Sequence, residues 1–274
     1  MSKGMGMALS KKNKQEDLTV IQISDTHLMN KDDLEFVHMN PAETFHAVIA
    51  DIQEKYPNVD VIFHTGDLAQ VSVPETYDNY LSFMAKLNIP HFQIPGNHDN
   101  SDIFPFFENT DKAHAIHLGH WTVVLLNSAV KGQVSGWIED EQLAQLDQIL
   151  TENKDQNIII TCHHHPLEMN SRWIDHHKLK NTKSLTDILA KHKNVKMVLC
   201  GHVHQDSLNT WNNINFYSTP STCVQFKPKS ENFALDDTAP GYRVLHLKAN
   251  GMFETKIHRI EENLPQLNLD ISGY

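Results

Sequence analysis

Five short polar motifs carry side chains that bind metal ions or transfer protons, and each motif directly follows an apolar run of the chain. In chain order they are Asp25-Thr26-His27, Gly66-Asp67, Gly96-Asn97-His98-Asp99, His163-His164-His165-Pro166 and Gly201-His202-Val203-His204. Together they supply carboxylate, imidazole and amide groups, and they require no thiolate. A mixed oxygen and nitrogen donor set of this kind suits Fe, Mn, Zn or Co better than Ca.

Each motif taken alone has an ordinary explanation. Asp-x-His pairs arise by chance, and Gly-Asp is commonly a turn. Their joint occurrence, each at the end of an apolar run, favours one shared site instead. If the backbone is extended between Asp25 and His27 and between His202 and His204, residues i and i+2 point the same way. Both members of each pair would then reach one ion.

The apolar runs alternate with helical patterns, and this order predicts how the motifs are positioned. After Pro41, for example, Phe45, Val48, Ile49 and Ile52 share one helix face. A strand–helix–strand series favours an α/β fold with parallel or mixed sheets, where ligands bind beyond the carboxyl ends of the strands. The predicted strands are 18–24, 59–64, 89–94, 121–126, 157–161, 195–199, 213–217, 243–248 and 252–258, and the predicted helices are 41–56, 74–87, 139–150 and 184–192.

Composition narrows the class of protein. The chain has 274 residues, is 40% hydrophobic and carries a formal net charge of −11, which argues against binding to nucleic acid or an anionic membrane. No apolar run approaches the roughly 18 residues of a membrane span. With three cysteines and no apolar leader, we expect a cytoplasmic protein, either a monomer or a homodimer. Residues 1–17 are expected to be a disordered lead-in, and residues 18–274 a single domain.

The ordered series of motifs resembles the calcineurin-like metallophosphoesterases over about residues 18–260. This resemblance implies a four-layer α/β/β/α sandwich with mixed sheets and a site for two metal ions. Fe or Mn are the expected metals, and Zn or Co are the alternatives. Three further stretches look like the bacterial class III 3′,5′-cyclic AMP phosphodiesterases. They are 171–175 (SRWID), 219–228 (TPSTCVQFKP) and 239–243 (APGYR).

The resemblance also implies an activity and a substrate. A metal-bridging hydroxide would hydrolyse 3′,5′-cyclic AMP to 5′-AMP, and the small-molecule nucleotide would be the partner. The same two-metal chemistry on another phosphodiester, such as a 2′,3′-cyclic nucleotide or a nucleotide diphosphate ester, is the alternative. A regulator without turnover is disfavoured because Asp67, Asn97 and His98 are all present.

Ligand roles carried over from the family leave one ambiguity. The resemblance assigns Asp25, His27 and His204 to one ion, assigns Asn97, His202 and one histidine of 163–165 to the other, and makes Asp67 the bridge. Counting from the apolar run favours His163 as that histidine, whereas counting back from Pro166 favours His164. Both remain candidates at this point.

Substrate contacts are predicted around the same ligands. His98 is expected to contact phosphate and to protonate the leaving oxygen, and Asp99 is expected to orient His98 or else to serve as a turn residue. The substrate is also expected to meet the ligand residues His27, Asp67, Asn97 and His204. Residues 167–180 are read as a lid that contributes Arg172 and Trp173, the latter stacking on a purine, with a surface loop or a dimer contact as the alternative.

Overall fold

A computed structural model of the chain describes residues 17–105 and 110–260. The predicted lead-in, apart from Asp17, lies outside the described residues. Among the helices of the described ranges, none has the length and apolar character needed to cross a membrane.

The first sheet has five strands in the order β13-β12-β1-β2-β3. Its strands are β1 (Leu18–Ile23), β2 (Val61–His64), β3 (His91–Gln93), β12 (Gly241–Leu247) and β13 (Phe253–Arg259). Strands β1, β2 and β3 are parallel, and the β12–β13 hairpin joins β1 antiparallel. Helices α1 (Pro41–Lys55) and α2 (Pro74–Ala85) connect the parallel strands. Helix α1 starts where the sequence indicates, because Pro41 occupies its first turn and the Asn40 side chain accepts a hydrogen bond from the Glu43 amide.

The second sheet has six strands in the order β4-β5-β6-β7-β9-β8. They are β4 (His114–Leu118), β5 (Trp121–Leu125), β6 (Asn157–Thr161), β7 (Val195–Cys200), β8 (Ser207–Trp211) and β9 (Ile214–Ser218). The inner strands are parallel, and β4 and β8 are antiparallel edges. Helices α3 (Asp140–Glu152), α4 (Arg172–Asp175) and α5 (Thr182–Leu189) and a short ribbon of β10 (Gln225–Phe226) and β11 (Leu235–Asp236) complete the elements.

Three apolar layers hold these elements together. Strand β1 alternates between two of them: Ile21 and Ile23 pack with α1 and α2, whereas Leu18 and Val20 pack against the second sheet. On the far side of the second sheet, α3 and α5 bury a third layer. Each fully buried aliphatic side chain contributes about 1.5–3 kcal/mol. The observed order of layers is helices, sheet, sheet and helices, which confirms the predicted α/β/β/α sandwich with mixed sheets.

Two edge strands of the second sheet were not predicted. Strand β8 pairs with β9 through Asn212 and Asn213, which have φ angles of 50° and 62°. A tight two-residue hairpin turn of type I′ needs two consecutive residues with positive φ, which Asn adopts readily. The Asn-Asn pair was therefore the sequence feature that could have predicted this hairpin. Strand β4 similarly joins β5 through Gly119 (φ 62°).

Candidate active site

All five polar motifs meet at one end of the sandwich, where β1, β2 and β3 of the first sheet and β6 and β7 of the second sheet stop. His27 Nε2 lies 3.2 Å from His204 Nε2, and His204 Nε2 lies 3.3 Å from Asp25 Oδ1. Asp67 Oδ2 lies 3.3 Å from His163 Nε2 and 3.8 Å from His27 Nε2. The side chains of Asp25, His27 and His163 are completely buried. Asp67 therefore lies between two groups of nitrogen donors.

The backbone that brings these ligands together is not extended. Asp25, His27, Asp67, His202 and His204 all have left-handed φ angles, between 47° and 67°. The expectation that an extended backbone makes residues i and i+2 converge was therefore wrong, although the side chains do meet. Each left-handed residue costs of order 1–3 kcal/mol and persists only where its surroundings enforce it.

Hydrogen bonds from neighbouring loops enforce this geometry. The amide of Asp25 donates to Gly66 O (2.9 Å), and the amide of His202 donates to both carboxylate oxygens of Asp25 (3.1 Å each). The His98 amide donates to Asp67 Oδ1 at 2.9 Å. Both carboxylates are thus oriented by backbone amides before any ion is considered.

Three of the histidines are held so that Nε2 faces the cluster. Their Nδ1–H groups donate to Gln70 Oε1 (from His27, 2.9 Å), Thr65 O (from His163, 2.8 Å) and Val224 O (from His204, 2.8 Å). In a neutral ring, donation through Nδ1 leaves a lone pair on Nε2, which is the usual arrangement of a metal-binding histidine. Sequence reasoning missed these three acceptors, and two of them are backbone carbonyls that leave no signal in residue type.

The donor set fits cations. The Nε2 atoms of His27 and His204 lie 3.2 Å apart. With both Nδ1–H groups donating elsewhere, the neutral rings point two lone pairs at each other, a contact that a shared cation would relieve. Two further buried acceptors, Asn97 Oδ1 and His202 Nε2, have no hydrogen-bond partner within the described ranges. Buried polar atoms are normally paired, so these two point to a ligand.

The electrostatics of the cluster favour positive charge. Burial raises the pKa values of Asp25 and Asp67, but the surrounding histidines outweigh burial and lower both below their ordinary range. Burial likewise lowers the pKa of His163, but Asp67 outweighs it and raises that pKa to about 9. By contrast, burial lowers the pKa of His27 to about 3, so its ring is neutral. Two ionised carboxylates in a buried cluster therefore stabilise positive charge beside them, either a proton on His163 or a bound cation.

The three consecutive histidines differ in what they contact. His163 Nε2 faces Asp67, whereas His164 accepts from the Ser128 hydroxyl at Nδ1 (2.8 Å) and donates from Nε2 to Val134 O (3.0 Å). His165 Nε2 contacts Asp175 Oδ1 at 3.2 Å. All three are buried, and ring nitrogens of His163, His164 and His202 lie within 4.8 Å of one another.

A pocket of about 380 Å³ opens onto this cluster, within the usual size range of small-molecule sites. Part of its wall is aromatic: the ring of Trp173 meets those of Phe226 and Phe233 edge to face, at centroid distances of 5.0 and 5.1 Å. The lining residues are Asp67, Asn97, His98, Gly132, Gln133, Val134, Trp173, Ile174, His177, His202, His204, Phe226 and Phe233.

Comparison with known proteins identifies the family. The model of the calcineurin-like phosphoesterase family matches residues 18–206, which include all five motifs. The chain belongs to the calcineurin-like phosphoesterases.

Similar proteins cover this phosphoesterase almost from end to end. A Haemophilus influenzae protein named 3′,5′-cyclic adenosine monophosphate phosphodiesterase CpdA is 37% identical over 261 residues, 94% of this chain and 95% of that protein. An Escherichia coli protein of the same name is 36% identical over 259 residues, covering 93% and 94%. A Nostoc protein named 3′,5′-cyclic-nucleotide phosphodiesterase is 34% identical over 256 residues, covering 92% and 96%.

Solved structures share the fold at low sequence identity. A dimetal phosphatase from Danio rerio superposes with a TM-score of 0.61 at 14% identity, covering 89% of this chain and 99% of that chain. A purple acid phosphatase from yellow lupin superposes with a TM-score of 0.57, also at 14% identity, covering 89% and 54%. At this identity the likeness supports the architecture of the phosphoesterase and nothing finer.

The predicted substrate contact Arg172 does not line the pocket. Arg172 has a side chain 73% exposed, pairs with Glu231 and lies in a separate polar depression. Its role as a substrate contact stays a prediction, and the pocket lining does not support it. Trp173, the next residue, does line the pocket.

Asp99 joins two loops of the site. Its four hydrogen-bond donors are Leu68 N (3.1 Å), Ala69 N (3.1 Å), Gly96 N (2.9 Å) and the Tyr77 hydroxyl (3.1 Å). A carboxylate has about four acceptor positions, so these donors fill it. These bonds make Asp99 a link between the loops that carry Asp67 and Asn97. Its role in orienting His98 stays a prediction.

Proposed function

We propose that this phosphoesterase hydrolyses 3′,5′-cyclic AMP to 5′-AMP at a site for two metal ions. The observation that carries the proposal is a single pocket lined both by ligand residues such as Asp67 and Asn97 and by the aromatic residues Trp173, Phe226 and Phe233. A cyclic nucleotide needs both, because its phosphate is anionic and its base is a flat aromatic ring. The names of the relatives that match over more than 90% of this chain support the same substrate.

For the metals, we propose two ligand sets that share Asp67. Asp25, His27 and His204 would hold one ion, and Asn97, His163 and His202 the other. The short distances among Asp25, His27 and His204 support the first set. The unpaired Asn97 Oδ1 and His202 Nε2 support the second. Oxygen and nitrogen donors without thiolate favour Fe or Mn, with Zn or Co as alternatives.

When bound, two such ions would neutralise the phosphodiester and supply hydroxide near neutral pH, because coordination lowers the pKa of water to about 7. The chain itself supplies the remaining groups. His98 lines the pocket, and its ring lies 5.0 Å from that of His27, centroid to centroid. From there we propose that His98 protonates the 3′ leaving oxygen, a general-acid contribution worth about 10²–10⁴-fold.

The aromatic wall would bind the base. Trp173 is fixed against Phe226 and Phe233, so its position is set before substrate arrives. Stacking on an aromatic side chain is worth about 1–3 kcal/mol per base. This contribution would act on binding and would leave the chemical step to the metals and His98.

Composition supports the rest of the proposal. A net charge of −11 disfavours nucleic acid and anionic membrane as partners, and we keep the predictions of a cytoplasmic location, a single domain, and a monomer or homodimer.

The test uses metal-stripped protein supplied with Mn²⁺, Fe²⁺ or no metal, with products separated by chromatography. The substrates are 3′,5′-cyclic AMP, 3′,5′-cyclic GMP, 2′,3′-cyclic AMP and bis(p-nitrophenyl) phosphate. We expect metal-dependent formation of 5′-AMP, with 3′,5′-cyclic AMP preferred. Turnover of the nitrophenyl ester without turnover of cyclic AMP would reject the substrate, and absence of all turnover with metal bound would reject the catalytic proposal.

A further inference from the structure

One part of the pocket wall depends on an exposed loop, residues 128–137, called here the 128–137 loop. It contributes Gly132, Gln133 and Val134 to the pocket, and residues 131–134 are exposed. Within the loop, Gln133 N donates to Val130 O and Trp137 N donates to Ser128 O, each at 3.0 Å. These bonds shape the loop but do not connect it to the floor of the pocket.

His164 makes that connection. Its backbone amide donates to the Ser128 hydroxyl oxygen (3.1 Å), and that hydroxyl donates to His164 Nδ1 (2.8 Å). On the other side of the ring, Nε2–H donates to Val134 O at 3.0 Å. The completely buried ring therefore holds the loop at its start and again at the pocket wall.

Both ring nitrogens of His164 make hydrogen bonds within the protein. A neutral imidazole has one N–H and one lone pair. Val134 O accepts a hydrogen bond from the N–H, and the Ser128 hydroxyl donates one to the lone pair. Both ring nitrogens therefore have partners within the protein.

Gly136 gives independent support from packing. A Cβ on Gly136 would overlap the His164 ring and lie 2.6 Å from its Nδ1. The loop backbone thus lies directly on the imidazole. The same glycine is hydrogen-bonded to the segment between α4 and α5: Lys180 N donates to Gly136 O at 2.8 Å.

We propose that His164 is a positioning residue that fixes the 128–137 loop and thereby shapes the nucleoside part of the pocket, and that it is not a metal ligand. The proposal rests on the proposed function, since the loop matters for a substrate that carries a nucleoside. His163, whose Nε2 faces Asp67, is the matched comparison from the same strand end.

The experiment compares H164A, H164Q, S128A and H163A as full-length proteins. Three quantities are measured: metal equivalents per chain, amide hydrogen exchange of peptides covering 128–137, and kcat and KM for cyclic AMP and for bis(p-nitrophenyl) phosphate. We expect H164A to keep two metal equivalents and to lose exchange protection in the loop. Its KM for cyclic AMP should rise about 10-fold, which corresponds to a loss of about 1.4 kcal/mol of binding free energy. The kinetic constants for the nitrophenyl ester should change less than twofold.

The variants separate the alternatives. H164Q retains an N–H and a carbonyl oxygen and should recover part of the loop protection, and S128A should lose part of it, so the result does not depend on whether H164A folds. H163A should lose metal. Loss of metal from H164A, or loop protection unchanged in both H164A and S128A, would overturn the proposal. Wild-type protein that hydrolyses only the nitrophenyl ester would reject cyclic AMP as substrate while leaving the metal and exchange results interpretable.

Discussion

Replacing Gly96 with alanine tests whether the site depends on the close approach of two loops. A Cβ at this position would overlap the Asp67 carboxylate and lie 2.7 Å from Asp67 Cγ. Ordinary contact begins at 3.4 Å, so clearing Cγ alone needs a shift of 3.4 − 2.7 = 0.7 Å. The Asp67 Oδ1 and backbone nitrogen lie closer still, so Asp67 or the Gly96 loop must move by more than this. The same carboxylate accepts the His98 amide, and a shift of Asp67 is therefore transmitted to His98.

A misplacement of about 1 Å in an active site lowers the rate by about 100-fold. For the shift at Gly96 we expect kcat/KM for bis(p-nitrophenyl) phosphate to fall about 10- to 100-fold, or about 1.4–2.7 kcal/mol in activation free energy. The assay is run at saturating Mn²⁺, with metal content measured on the same samples. The nitrophenyl ester is used because it reports on the metal site without the nucleoside pocket.

Gly251→Ala is the matched control. Gly251 has φ +84° and lies in the β12–β13 turn, where alanine is strained but remote from the metal site. We expect G251A to lower the melting temperature while leaving kcat/KM unchanged. If G96A kept wild-type kcat/KM and both metals, or lost activity only as far as G251A does, the argument from close approach would be refuted.

Three further predictions concern single groups. Asp67→Ala should remove both ions and activity together, and elemental analysis showing two retained equivalents would contradict a bridging role. His98→Ala should retain both metals yet lower kcat about 10²–10⁴-fold; a parallel fall in metal content would make His98 a ligand. Burial raises the pKa of Cys162 to about 12, which disfavours the thiolate at pH 8. A thiol reagent should therefore modify none of the three buried cysteines in folded protein and all three in urea, so rapid labelling of the folded chain would contradict their burial.

Local sequence patterns were sufficient for most of the fold. Apolar runs followed by polar motifs predicted the strands of both sheets that end at the site, and the Asn250-Gly251 turn predicted the β12–β13 hairpin. These features depend on side chains close together in sequence, which alternate between faces or demand a turn. Edge strands β4 and β8 were missed because their apolar alternation is weaker and one face is exposed.

Details of the site depended on contacts that no local pattern records. The Nδ1 acceptor of His163 is Thr65 O, 98 residues away, and that of His27 is the side chain of Gln70. The left-handed backbone at the ligands is likewise enforced by distant loops, as in the bonds from His202 N to the Asp25 carboxylate. The choice between His163 and His164 could not be made from spacing, because both follow the same strand end and differ in their tertiary partners.

The origin of the ligands on two different sheets has a consequence for cohesion of the fold. Asp25, His27, Asp67 and Asn97 follow strands of the first sheet, whereas His163, His202 and His204 follow strands of the second. Ions held between them would cross-link the two sheets of the sandwich at the end where the ligands lie. Binding to the folded state alone adds about 2.7 kcal/mol of stability at 100 times the dissociation constant. Removing the ions with a chelator should therefore separate the two sheets first at the metal end. The opposite end of the sandwich should open last.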